Sequence, residues 1–284
     1  MPEFDTPEPI TVELDLVIAD VRLTAGEREN TVIEVRPSDP AENNDVRAAE
    51  RTRVERTPAG LLVRTSRPRG AGLIGPTSRS GSVDVTIELP SGSQVRGEAS
   101  MGSFRATGPL GDCRLKTGAG GIRLDQAGAV ELRTGAGAIE VDRVAGPAEV
   151  STGSGRVRLG EVDGPAVVKN SNGETWIGEV TADLRVHGAN GQVTVGRATG
   201  DVDASTGNGD LRVGGVTRGT TALKTGFGEI EIGLSAGTAA RLDLYTHFGR
   251  VHNQLTAADG PQASDQVVEV RARTSYGDIV IRRS

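Results

Sequence analysis

Between Val95 and Gly233 one short phrase keeps returning, and it constrains the chain more than any other feature. It reads Thr117-Gly-Ala-Gly-Gly-Ile, Thr134-Gly-Ala-Gly-Ala-Ile, Thr152-Gly-Ser-Gly-Arg-Val, Asn170-Ser-Asn-Gly-Glu-Thr, Thr206-Gly-Asn-Gly-Asp-Leu and Thr225-Gly-Phe-Gly-Glu-Ile. Its second glycine falls at Gly120, Gly137, Gly155, Gly173, Gly191, Gly209 and Gly228, a period of 18 residues with a slip of one. A fixed period of this length is the mark of stacked repeats.

Each period is legible on its own. Val130 and Leu132 alternate with Glu131 and Arg133; after the Thr-Gly-Ala-Gly corner, Ile139 and Val141 alternate with Glu140 and Asp142, and Val144 adds one more apolar position. That is two short strands with about five inward side chains. The same columns hold Cys113, Leu115, Ile122 and Leu124 one repeat earlier, and Ala148, Val150, Val157, Leu159 and Val162 one repeat later. A lone two-stranded unit with five small hydrophobes is unstable in water, so the columns require stacking, with each strand paired to its copy at about 4.8 Å. Each fully buried aliphatic side chain contributes roughly 1.5 to 3 kcal/mol. Small β-branched residues fill such a narrow interior, which is how a chain with 2% aromatics builds a core. The expected fold is an all-β parallel β-helix of about ten coils, two short strands per coil, with an irregular N-terminal β cap and one short helix.

Outside the regular region the reading is coarser. Residues 1–94 are expected to form the irregular β segment and cap, continuous with the repeats of 95–284. Thr11 to Leu23 resembles a terminal coil, with Ala19 where later repeats place glycine. Val32 to Arg36, Leu61 to Thr65 and Val83 to Leu89 read as strands, and Asp45 to Arg56 as a short surface helix. Arg67 to Gly81 and Leu255 to Asp265 read as surface loops. Leu242, Leu244 and Val251 form a coil about Gly249; Val270, Ala272, Ile279 and Ile281 form the last, about Gly277.

The turn Ile87-Glu-Leu-Pro-Ser-Gly followed by serial Thr-Gly-x-Gly-[Asp/Glu]-[Ile/Leu] repeats resembles the bacterial β-strand-repeat proteins called "putative adhesins", a group of domains of unknown function. The resemblance covers Val83 to Ile281 closely and Thr11 to Arg36 more loosely. It implies a β-helical fold and carries no catalytic residues.

Rival repeat chemistries fail on the columns. A hexapeptide helix needs an aliphatic residue every six positions, but Arg156, Glu174, Gln192 and Asp210 fill the middle one, and charged groups cannot line a core. A calcium β-roll needs an aspartate two residues after the last glycine; Ile122, Ile139, Val157, Leu211 and Ile230 stand there, and Asp210 and Glu229 fall one residue early. The histidines, His187, His247 and His252, show no metal-ligand spacing, and no nucleophile or phosphate-loop motif is present. No enzyme, cofactor or metal site is therefore expected. A net charge of -6 argues against nucleic-acid binding. The acidic, proline-rich opening and the absence of any long apolar run argue against export and membrane insertion, so cytoplasmic residence is expected.

What remains is surface. The position before the second glycine reads Met101, Ala119, Ala136, Ser154, Asn172, Asn190, Asn208, Phe227, Phe248, Tyr276 in chain order. Coils in register turn this into an asparagine ladder followed by three aromatics, with hydrogen bonding and ring stacking as the structural account and a platform for a sugar or protein as the functional one. Trp176 is expected outward, beside Arg158 in a cation–π contact. The expected function is a non-enzymatic scaffold or interaction module whose partner is another protein, acting as a monomer or small homo-oligomer. The alternative is a structural, adhesin-like protein that assembles end to end through its open sheet edges.

Overall fold

We describe the chain from a computed structural model, which defines residues 2–66, 81–255 and 266–284. It comprises two compact units, 1–145 and 146–284. Most of the described strands alternate buried and more exposed residues along their length, and the described residues hold one short helix. In both units every coil gives one strand to a sheet that ends at the Thr-Gly-x-Gly corner, here the threonine sheet, and one to the sheet facing it. The fold is a parallel β-solenoid of the kind the columns demand.

In the first unit, the strand Thr11–Gly26 is a whole coil by itself. Its first half pairs in parallel with Gly60–Thr65 on one side and Gln94–Met101 on the other. Its second half lies in the facing sheet, between Val83–Pro90 and Phe104–Pro109. Two regular coils follow, Cys113–Ala119 with Ile122–Ala127, and Val130–Ala136 with Ile139–Val144. Leu115 stands in register with Leu132, and both are buried.

Two expectations are corrected here. Thr11 to Leu23 is an interior coil, not the terminal one, because Gly60–Thr65 and Val83–Pro90 lie outside it. Left outermost, this long apolar strand would present open ladder edges to water; the structure covers it, and then seals the covering coil with antiparallel strands. Thr52–Thr57 pairs antiparallel with Gly60–Thr65, Asn30–Pro37 pairs antiparallel with Val83–Pro90, and Glu3–Asp5 closes the row. The helix spans Asn43–Arg51, so 52–56 is strand and not helix: Thr52 and Val54 alternate with Arg53 and Glu55, a period of two that suits the hairpin. The loops expected over 67–81 and 255–265 lie, apart from Gly81 and Leu255, outside the described residues.

In the second unit the columns run unbroken. Val150, Val168, Val186, Ala204 and Leu223 stand in successive register, each at most 2% exposed. At its far end, chain order and spatial order part company. Gly219–Phe227 pairs with Gln266–Tyr276, and Gln266–Tyr276 pairs in turn with Thr238–Phe248. The coil expected to be last is thus inserted beneath its predecessor. The reason is in the side chains. Val268, Val270, Ala272, Ile279 and Ile281 are fully buried, whereas the coil at 238–253 has a second strand of only three residues, Val251–Asn253, and suits the outermost place.

Candidate functional site

The site begins with the corner. In Thr-Gly-x-Gly the second glycine has a left-handed backbone: at Gly209 φ is +144°, and a Cβ there would lie 2.2 Å from the Gly191 carbonyl oxygen of the neighbouring coil. Only glycine lets the coils approach so closely. The threonine fixes the same contact from inside. Thr225 Oγ1 donates to the Gly209 carbonyl at 2.9 Å, Thr274 Oγ1 to Gly228 at 3.1 Å and Thr246 Oγ1 to Gly277 at 2.8 Å. Asn170 replaces the hydroxyl with its amide, donating to Gly155 at 3.1 Å. These bonds between coils are why threonine recurs. From the sequence alone the phrase reads as a turn; the one sign of its role as a clamp is threonine in an inward phase, where an aliphatic residue would otherwise stand.

Corners locked in this way hold the residue before the glycine in a straight row. Ser154, Asn172, Asn190, Asn208 and Phe227 are in register, and Phe227 continues to Tyr276 and then Phe248. Tyr276 therefore lies between the two phenylalanines, a correction to the chain order that follows from the inserted coil. Phe227 and Tyr276 stack with centroids 4.9 Å apart and planes within 3°; Phe248 and Tyr276 stack at 4.8 Å and 14°. The spacing matches that of the strands beneath, so the backbone ladder sets the ring ladder. The three side chains remain 56%, 47% and 55% exposed for Phe227, Tyr276 and Phe248.

The geometry decides what this strip can offer. Both faces of Tyr276 are covered by rings, so the strip presents ring edges to solvent. His247 packs edge-on against Phe248 at 4.3 Å, and Tyr245 Oη lies 3.4 Å from His247 Nδ1. Beside the strip the outer threonine sheet holds a shallow depression of about 460 Å³ lined by Lys224, Asp243, Tyr245, Arg273 and Ser275 among others. Tyr245 is as exposed as the row itself and was not singled out from the sequence. The asparagines flank the strip: Asn190 Nδ2 donates to Asn172 Oδ1 at 2.9 Å, and Asn208 continues the row in register with Asn190.

Trp176 is not brought to this edge. It lies in the facing sheet on the coil that begins at Ala166, with the Arg158 guanidinium 5.1 Å from its ring centroid. His187 bonds Ser205 Oγ at 2.9 Å, and His252 lies 3.6 Å from Asp278. Among the described residues no three His, Cys, Asp or Glu side chains gather as metal ligands. No described helix is long and apolar enough to cross a membrane. Cys113 is buried, and burial first, then the neighbouring Asp112 charge, pushes its thiol up to about 12.

The family described as "Toastrack DUF4097" matches residues 10–283. A solved "putative adhesin" from Parabacteroides merdae shares 12% identity, covering 98% of this chain and 94% of its own, with a TM-score of 0.37. One from Bacteroides fragilis shares 13%, covering 99% and 95%, with a TM-score of 0.36. No curated protein matches the chain.

Proposed function

The chain belongs to the Toastrack DUF4097 family, and from that premise we propose that it is a non-catalytic β-solenoid scaffold whose aromatic edge docks a protein partner. The observation behind this reading is the stacked row Phe227, Tyr276, Phe248, half exposed and held by the backbone ladder. Sugar platforms work through free ring faces. Here the central ring has none, while a strip of ring edges with a polar asparagine flank suits the apolar centre and hydrogen-bonding rim of a protein interface. Rigid aromatics that lose little entropy on contact are also the side chains on which such interfaces depend most.

The test is a chain carrying Phe227→Ala, Tyr276→Ala and Phe248→Ala together. Circular dichroism and melting should stay close to wild type, because these rings lie outside the core. Affinity for the partner captured by cross-linking in the native cell should fall roughly a hundredfold or more. Undiminished partner binding by the triple variant overturns the docking edge. An oligosaccharide bound by wild type and lost in the variant replaces protein with sugar as the ligand.

A further inference from the structure

The outermost coil of the second unit ends on an open strand, Thr238–Phe248, which among the described residues pairs on one side only, with Gln266–Tyr276. In a parallel ladder alternate residues turn their backbone groups to opposite sides. The Gln266 N–H donates to the Gly237 carbonyl at 3.2 Å, with Thr238 in register with Gln266. The odd-numbered residues Ala239, Arg241 and Asp243 therefore direct N–H and C=O inward along the stack. Ala240, Leu242 and Leu244 turn theirs to the open edge. The side chains of Leu242 and Leu244 are only half buried, and Val251 on the same coil is 44% exposed. Such an edge is a template for another strand.

The sequence of the edge selects the occupant. In antiparallel self-pairing with Leu242 opposite Leu242, Ala240 meets Leu244 and Arg241 meets Asp243, each twice by symmetry. Inward residues face inward residues, and the hydrogen-bonded pairs fall on the residues whose backbone groups turn to the edge. Arg241 and Asp243 then occupy the non-hydrogen-bonded pairs, where cross-strand side chains come closest. Moving the register by two residues in one direction sets Asp243 against Asp243, and in the other Arg241 against Arg241. We infer that the strand Thr238–Phe248 joins a second copy of this chain about a two-fold axis at Leu242, closing the open end of the solenoid in a tail-to-tail dimer. The interface is isologous, so association stops at two. It uses the strand that also carries Phe248, but it rests on Ala240 to Leu244 and does not depend on the aromatic row.

The test exchanges the charges and leaves Phe227, Tyr276 and Phe248 untouched. By multi-angle light scattering across a concentration series, wild type is a dimer. Arg241→Asp sets a carboxylate against Asp243 of the second copy, and Asp243→Arg sets a guanidinium against Arg241; each should raise the dissociation constant at least about tenfold. The double variant Arg241→Asp, Asp243→Arg restores opposite charges and should restore the dimer. Both positions are exposed, and melting curves check that each variant is folded. A wild type that stays monomeric at every concentration overturns the proposal. So does growth beyond two copies, or a double variant no tighter than the singles.

Discussion

At the residue scale, inward and outward phases were readable because the chain alternates strictly. That alternation puts Cys113 inward, and its side chain is 2% exposed. What the burial does to its acidity was not readable, since it depends on packing and on Asp112 beside it. The thiol remains neutral in the folded chain until about pH 12 and ionises near pH 9 when unfolded. The folded state thus holds more protons across that window, and the contribution of this side chain to stability is present below pH 9 and lost as pH rises towards 12. Urea unfolding at pH 8 and pH 10.5 should show wild type losing more stability than Cys113→Ala, by on the order of 1 to 2 kcal/mol. Equal losses would mean that the thiol ionises freely in the folded state. The threonine clamp was hidden for a related reason: a hydroxyl's partner is a carbonyl of the neighbouring coil, 16 residues back for Thr225 but 31 residues ahead for Thr246, and period alone does not say which groups meet.

At the element scale the repeat unit was legible and the order of the units was not. Coils with matching columns fit one another in any sequence, so Val270, Ala272, Ile279 and Ile281 suit the top of the coil at Gly219–Leu234 as well as Leu242 and Leu244 do. Depth of burial decides between them. The same interchangeability makes an interior coil dispensable. Ala148–Ser154 pairs with Ala166–Asn172, which pairs with Leu184–Asn190, at offsets of 18 residues each. Removing residues 166–183 joins Pro165 to Leu184 and preserves every column, though it also removes Trp176 and its contact with Arg158. That deletion should fold, with a urea m-value lowered in proportion to the surface removed. Aggregation, or loss of the strand signal in circular dichroism, would mean that the coils are not interchangeable.

At the scale of the whole molecule, net charge of -6 hides a surface of mixed sign. Arg114 pairs with Glu131 at 3.2 Å and Arg156 with Glu174 at 3.5 Å, while Arg96 stands in register with Arg114 and Glu161 with Glu179. Exposed attractions and repulsions of this kind are each worth about 0 to 1 kcal/mol and are screened together. Raising NaCl from 50 mM to 1 M should therefore move the melting temperature by no more than about 3 °C; a fall of ten degrees would make the ion pairs essential to the fold. The inserted coil has a different consequence, one of timing. Synthesis delivers residues 238–253 before 266–283, yet the earlier segment has its proper seat only on top of the later one. While the ribosome is still translating, the earlier strand either waits or occupies its successor's place and must give it up. Native assembly of this end can begin only once the later segment has left the exit tunnel.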